Sequence, residues 1–328
     1  MGFSEIIGHS RQIGTLRHAL AKGRLHHAYL FAGPEGVGKR TAALALAKAI
    51  HCAEGGDDFC GRCANCARIQ DGNHPDLRLI EPQAGKKEIS IQQIREIEKQ
   101  LYYRSFSGGK KLIILDPATL MNFPAQNALL KTLEEPPQDS LLILIAGSTG
   151  GLLPTLRSRC LQVPFGPLQR DHVSGYLVSQ KGMKRDDAEL LAAMAMGSLG
   201  NALKMDGADL PKRRQSWIAL LSSLRIGDCR AATAAAETLA ANKDETAKFL
   251  EWVQSWYRDL LVHTVTQESK ELINLDMLAH IERESGAGKV EYILSLMGQV
   301  TEAAAGMQRN LNRRMIMENL LFSVVGER

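Results

Sequence analysis

In the first half of the chain, apolar positions come in short unbroken runs, separated by stretches where they recur every three or four residues. HAYLFAG (27–33), KKLIILD (110–116) and SLLILIAG (140–147) are unbroken runs and predict buried strands. DLRLIEP (76–82) alternates and stops at proline, which predicts a further strand. GKRTAALALAKAIH (38–51) is rich in helix-forming Ala and Leu, and Ile91, Ile94, Ile97 and Leu101 make one helical stripe within 89–103. FPAQNALLKTLEE (123–135) predicts a helix that Pro136 and Pro137 terminate. Strands of this kind alternating with helices imply the α/β class: a parallel sheet covered on both faces, with ligands at the carboxyl ends of its strands.

The pattern changes at VPFGPL (163–168), and no strand is predicted beyond it. Residues 169–206 predict a small helical unit, GADLPKRR (207–214) reads as a linker, and the rest reads as helical throughout. Trp217, Trp252 and Trp256 lie on helical stripes and are expected in the core.

Composition narrows the class only modestly. The chain has 328 residues, room for two or three domains, and 45% hydrophobic content suits a soluble globular protein. It has no apolar run long enough to span a membrane and no apolar signal core at its start, so a cytoplasmic location is expected. The net charge of +4 permits contact with nucleic acid without requiring it. The basic pairs Lys86-Lys87, Lys110-Lys111, Arg213-Arg214 and Arg313-Arg314 are expected to be solvated surface.

GPEGVGKRT (33–41) changes the picture. Gly33, Gly36, Gly38 and Lys39 match a P-loop, whose backbone amides, helix dipole and lysine converge on phosphate oxygens. The residue after the lysine normally supplies a hydroxyl to Mg²⁺, and here it is Arg40. Thr41 lies about 100° further around the helix and is expected to point away. Asp116, closing the KKLIILD strand, matches the acid of such a site, but Pro117 stands where a general base would follow. With metal hydroxyl and base both gone, hydrolysis is not expected. The cradle is separable from that chemistry, so ATP or ADP bound without hydrolysis remains open, as does a loop that only joins strand to helix.

Four of the six cysteines, Cys52, Cys60, Cys63 and Cys66, crowd into one short segment. Their spacing suits a tetrahedral Zn²⁺ with four thiolates and no open position, hence a structural site. Cys160 and Cys229 stand alone and are expected as packing residues.

NALLKTLEEPP (127–137) and LLPTLRSRC (152–160) occur in one chain with this P-loop and cysteine cluster. Together they make the chain resemble bacterial clamp-loader subunits of the AAA+ superfamily, strongly over residues 1–206 and more loosely beyond. The resemblance implies a RecA-like AAA+ domain over 1–166 with a zinc module at 52–66, a helical lid over 167–208, and a helical collar over 209–328. It implies gamma/tau and delta subunits of DNA polymerase III as partners in a hetero-pentamer. It also implies the sliding clamp as an indirect partner, and primed DNA held by its phosphates. It further implies that Arg159, in the Ser-Arg-Cys tripeptide, is an arginine finger projected into a neighbour's ATP site. Arg157 is expected as plain surface. The chain departs from ATP-hydrolysing members at Arg40, at Pro117 and at Gly200 in GSLGNAL (197–203), where those members carry a phosphate-sensing arginine. These departures imply a non-hydrolysing member. The competing readings are a hydrolysing loader subunit of the gamma/tau kind, opposed by Arg40 and Pro117, and a zinc-stabilised DNA-binding protein outside any loader, opposed by the LEEPP and SRC signatures.

Overall fold

A computed structural model describes residues 2–205, 210–286, 289–309 and 311–326. The apolar runs form strands β1 (Ala28–Ala32), β2 (Leu77–Ile80), β3 (Lys111–Leu115) and β4 (Ser140–Ala146). A further strand, β5 (Leu161–Pro164), pairs with β1. The sheet order is β2-β3-β4-β1-β5 and every pairing is parallel. β5 is absent from the sequence expectation because LQVP is short and lies on the sheet edge, with only Val163 buried, so it shows no apolar run.

Helices α1 (Ser10–Ala21), α2 (Lys39–His51) and α3 (Ala64–Gln70) pack with Tyr29, Phe31, Ile114 and Ile143 in one apolar cluster. Helices α4 (Ile91–Tyr102), α5 (Phe123–Glu134) and α6 (Pro154–Arg157) pack with the alternate residues Ala28, Leu30, Ile113 and Leu144 in another. Successive strand side chains point to opposite faces, so continuous apolar strands supply both layers. Sequence signals also fix the helix starts: Ser90 and Gln93 form a capping box on α4, and Asn122 caps α5 ahead of Pro124.

The remaining helices are α7 (Arg170–Lys181), α8 (Arg185–Met194), α9 (Leu199–Lys204), α10 (Leu210–Ser223), α11 (Cys229–Ala240), α12 (Lys243–Thr266), α13 (Leu278–Glu284), α14 (Val290–Gln308) and α15 (Arg313–Gly326). The chain divides into two units, Met1–Val173 with Met196–Asn201, and Ser174–Ala195 with Ala202–Arg328. The expected linker at 207–214 falls partly on 206–209, outside the described residues, while 210–214 begin α10. No described helix is long and apolar enough to cross a membrane.

The second unit has its own core, in which Trp217, Trp252 and Trp256 are buried together with Phe249. Arg214, expected at the surface, is instead fully buried. Its guanidinium forks onto both oxygens of Asp276, at 2.7 and 2.9 Å, and donates to Asn274 Oδ1 at 2.7 Å. Asn274 in turn donates to the buried Asp259. A polar network therefore ties α10 and α12 to the loop before α13. The second misplaced expectation is Cys229, which is exposed at the start of α11, whereas Cys160 is buried.

Candidate functional site: a rebuilt P-loop and a cysteine cluster

The P-loop joins β1 to α2 at the carboxyl end of the sheet, as the sequence predicts. Gly33, Gly36 and Gly38 all have positive φ. Five successive carbonyls are occupied. Those of Gly33 and Pro34 accept from Lys39 Nζ at 2.6 and 2.5 Å. That of Glu35 accepts from Ser198 Oγ, that of Gly36 from the Gly200 amide, both at 2.8 Å, and that of Val37 pairs with His9 Nε2 at 2.9 Å. The first amides of α2 have no partner within the helix, as at any helix start. Lys39 is buried, and desolvation lowers its pKa against the opposing pull of Asp116 and Glu35.

Arg40 does more than remove a hydroxyl. Its Nη1 lies 2.5 Å from Glu81 Oε1, just after β2, and 3.6 Å from Asp116 Oδ2, just after β3. One guanidinium thus sits between the two acids at the mouth of the loop. Burial raises the Asp116 pKa, with Arg40 opposing. Thr41 is exposed. Pro117 follows Asp116 without an acceptor side chain. Sequence reading missed Glu81, although an acid directly after a strand was the available signal.

Gly200 meets the loop directly. A Cβ on Gly200 would lie 2.7 Å from Gly36 Cα, and one on Gly36 would lie 2.3 Å from Ser198 Oγ. The first turn of α9 therefore rests backbone to backbone on the P-loop, leaving no room for a side chain at either position.

Arg159 lies between α6 and β5. Its Nη2 is 2.6 Å from Glu134 Oε1, and its Nη1 donates to the Thr155 carbonyl at 2.8 Å. Arg157 is not plain surface. It is half-buried, with an enclosed Nε that lacks a partner and with Nη1 3.5 Å from Thr149 Oγ1.

The ligand atoms of Cys52, Cys60, Cys63 and Cys66 lie within 4.8 Å of one another. The Cys60 amide donates to Cys52 Sγ and the Cys63 amide to Cys60 Sγ, each at 3.3 Å. Hydrogen bonds from the Ala53 and Cys66 amides bring Cys63 down to about 6, while desolvation pushes Cys66 up to about 12. Four convergent sulfurs with amide donors fit a thiolate-bound metal ion. His51 and His74 stand outside the sulfur group, their rings paired at 4.3 Å.

These features define an α/β module with a glycine-rich P-loop, an arginine between two acids at its mouth, and a cluster of four cysteines in the same unit. The family model described as DNA polymerase III, delta subunit, matches residues 8–169, and the one for its C-terminal part matches 211–325. The chain is 33% identical to DNA polymerase III subunit delta' of Bacillus subtilis, over 95% of this chain and 94% of that one. It is 29% identical to the Escherichia coli subunit delta', over 92% and 90%. It is also 34% identical to Escherichia coli DNA polymerase III subunit tau, but over only 62% of this chain and 32% of tau. The chain belongs to the family of DNA polymerase III delta' subunits.

Proposed function

We propose that this chain is the non-hydrolysing AAA+ subunit of a clamp loader. It assembles with gamma/tau and delta subunits in a hetero-pentamer that opens a sliding clamp and places it on primed DNA. The observation that carries this reading is Arg40, whose guanidinium lies between Glu81 and Asp116 in the region where a hydrolysing site holds its metal. With Pro117 offering no base, the chain has no means to activate water at its own loop. ATP or ADP would be cradled there, if at all, without turnover.

Arg159 instead serves the neighbouring gamma/tau subunit. A guanidinium delivered in trans stabilises charge on the transferring phosphoryl group, an effect of roughly 10³–10⁵ where measured. The relatives named above supply the complex in which such a neighbour exists. Cys52, Cys60, Cys63 and Cys66 hold a structural Zn²⁺ that staples the segment between α2 and α3. Residues 167–208 act as the lid and 209–328 as the collar. DNA is gripped through its phosphates, so binding is salt-dependent and indifferent to sequence.

The test compares ATP turnover by the isolated chain and by the reconstituted loader, each with Arg159 intact and replaced by Ala. The isolated chain is expected to be inactive. The loader is expected to lose most of its turnover with Arg159→Ala while still assembling. Unchanged turnover in the assembled variant would sink the finger assignment.

A further inference from the structure

Glu134 is the last residue of α5, and a carboxylate at a helix C-terminus faces the negative end of the helix dipole. Its placement there is unfavourable for the helix and is explained by what it touches. Glu134 Oε1 lies 2.6 Å from Arg159 Nη2. On the other terminal nitrogen, Nη1 donates to the Thr155 carbonyl at 2.8 Å. The guanidinium is thus held through both Nη atoms by two elements, α5 and α6.

A guanidinium has five N–H donors. One goes to Glu134 and one to Thr155, which leaves three for an incoming anion. Arg159 and Glu134 are 35% and 50% exposed, so an anion presented from outside reaches the Arg159 guanidinium without rearranging the core. An ion pair this exposed adds little to folding stability, so holding the fold together does not account for it. An arginine left free at the surface would have to surrender its rotamer freedom on meeting a phosphoryl group. One already clamped on two sides surrenders much less.

We propose that Glu134 is a positioning residue for Arg159. It fixes the guanidinium plane so that the three remaining donors face a nucleoside triphosphate held by the neighbouring subunit. This rests on the finger reading above. Glu134 touches no nucleotide and acts only through Arg159.

The experiment uses the full loader reconstituted with gamma/tau and delta, with ATP as the probe. Glu134→Gln, Glu134→Asp, Arg159→Ala and the double variant Glu134→Gln/Arg159→Ala are compared. Glu134→Gln is expected to lower kcat about three- to tenfold and to move the KM for ATP less than about twofold, because the clamp acts on the transition state. Glu134→Asp regains part of the loss. The double variant matches Arg159→Ala, since there is no guanidinium left to position. The melting temperature of the isolated chain is unchanged by Glu134→Gln. An unaltered kcat with Glu134→Gln, a further loss in the double variant, or failure of the Glu134→Gln chain to assemble would overturn the inference. Full turnover with Arg159→Ala would instead sink the finger reading beneath it.

Discussion

The Arg40 guanidinium stands 3.6 Å from the Asp116 carboxylate, and at 2.5 Å it also holds Glu81. A cation borne by the protein lies between acids that close two neighbouring strands, β2 and β3. On the proposed reading, a hydroxyl placed after Lys39 is not by itself enough to give hydrolysis. Arg40→Thr frees both acids, but Pro117 still provides no base. The isolated Arg40→Thr chain is expected to show no ATP turnover above background. Turnover that appears in this variant and disappears on replacing Lys39 would contradict the assignment.

Gly200 has no room for a side chain. Its Cβ would strike Gly36 Cα at 2.7 Å, and its amide donates to the Gly36 carbonyl at 2.8 Å. Gly200→Arg, and Gly200→Ala on the Cβ alone, are expected to destabilise the first unit by about 1–3 kcal/mol, the range for overpacking a fitted contact. Asn201→Ala, at the exposed next position, serves as a near-neutral control. Hydrogen exchange of the sheet amides reads the effect, because all three tryptophans lie in the other unit. Equal protection in the glycine variants and the control would show that the contact yields freely.

The sheet was legible because β1, β3 and β4 are buried on both faces, which leaves an unmistakable apolar run. β5 was not, because an edge strand of four residues with one buried side chain carries no period. At the site, the glycines, Lys39, Asp116 and the cysteines could be read from spacing alone. The roles of Ser198, His9 and Glu134 could not, since each acts through a partner distant in sequence, and Glu81 offered only the signal of an acid directly after a strand. The same limit explains Arg214. A pair of arginines reads as surface until the fold supplies Asp276 and Asn274 some 60 residues away.

Metal removal tests the cysteine cluster. Four thiolates around a zinc ion contribute binding energy to the fold that an empty cluster lacks. Treatment with a strong chelator, or Cys63→Ser, is expected to reduce hydrogen-exchange protection in α2 and α3 and to lower the melting temperature. Loss of bound zinc with protection unchanged would remove the structural role.

Arg214 tests the second unit. Its side chain is fully buried, and its fork onto Asp276 and Asn274 is what makes burial of the charge tolerable. Arg214→Ala opens a cavity and breaks the network, at a cost of about 3 kcal/mol. Arg214→Met fills the space without a charge to satisfy and is expected to cost less. Tryptophan fluorescence during urea unfolding reads this unit directly. A midpoint for Arg214→Ala equal to that of the parent would show the network to be dispensable.

Asp76 sets the acid limit of the first unit. Its buried carboxylate accepts from the Ser105 hydroxyl, from the amides of Phe106 (2.8 Å) and Ser107 (2.8 Å), and from the Ser107 hydroxyl. Burial by itself raises the pKa, but these donors outweigh it and hold the group at about 2, below the ordinary 3.8. Because the folded value is the lower one, the stabilisation is fully present above the unfolded pKa, near pH 4. It is lost as the pH falls from there towards 2. A depression of this size is worth about 2 kcal/mol by linkage. Sheet protection in the first unit is expected to fall steeply between pH 4 and 2. Asp76→Asn is expected to lower protection at neutral pH, because one acceptor oxygen becomes a donor, and to flatten the acid dependence. An Asp76→Asn chain with the parent's full slope between pH 4 and 2 would place the acid sensitivity on another carboxylate.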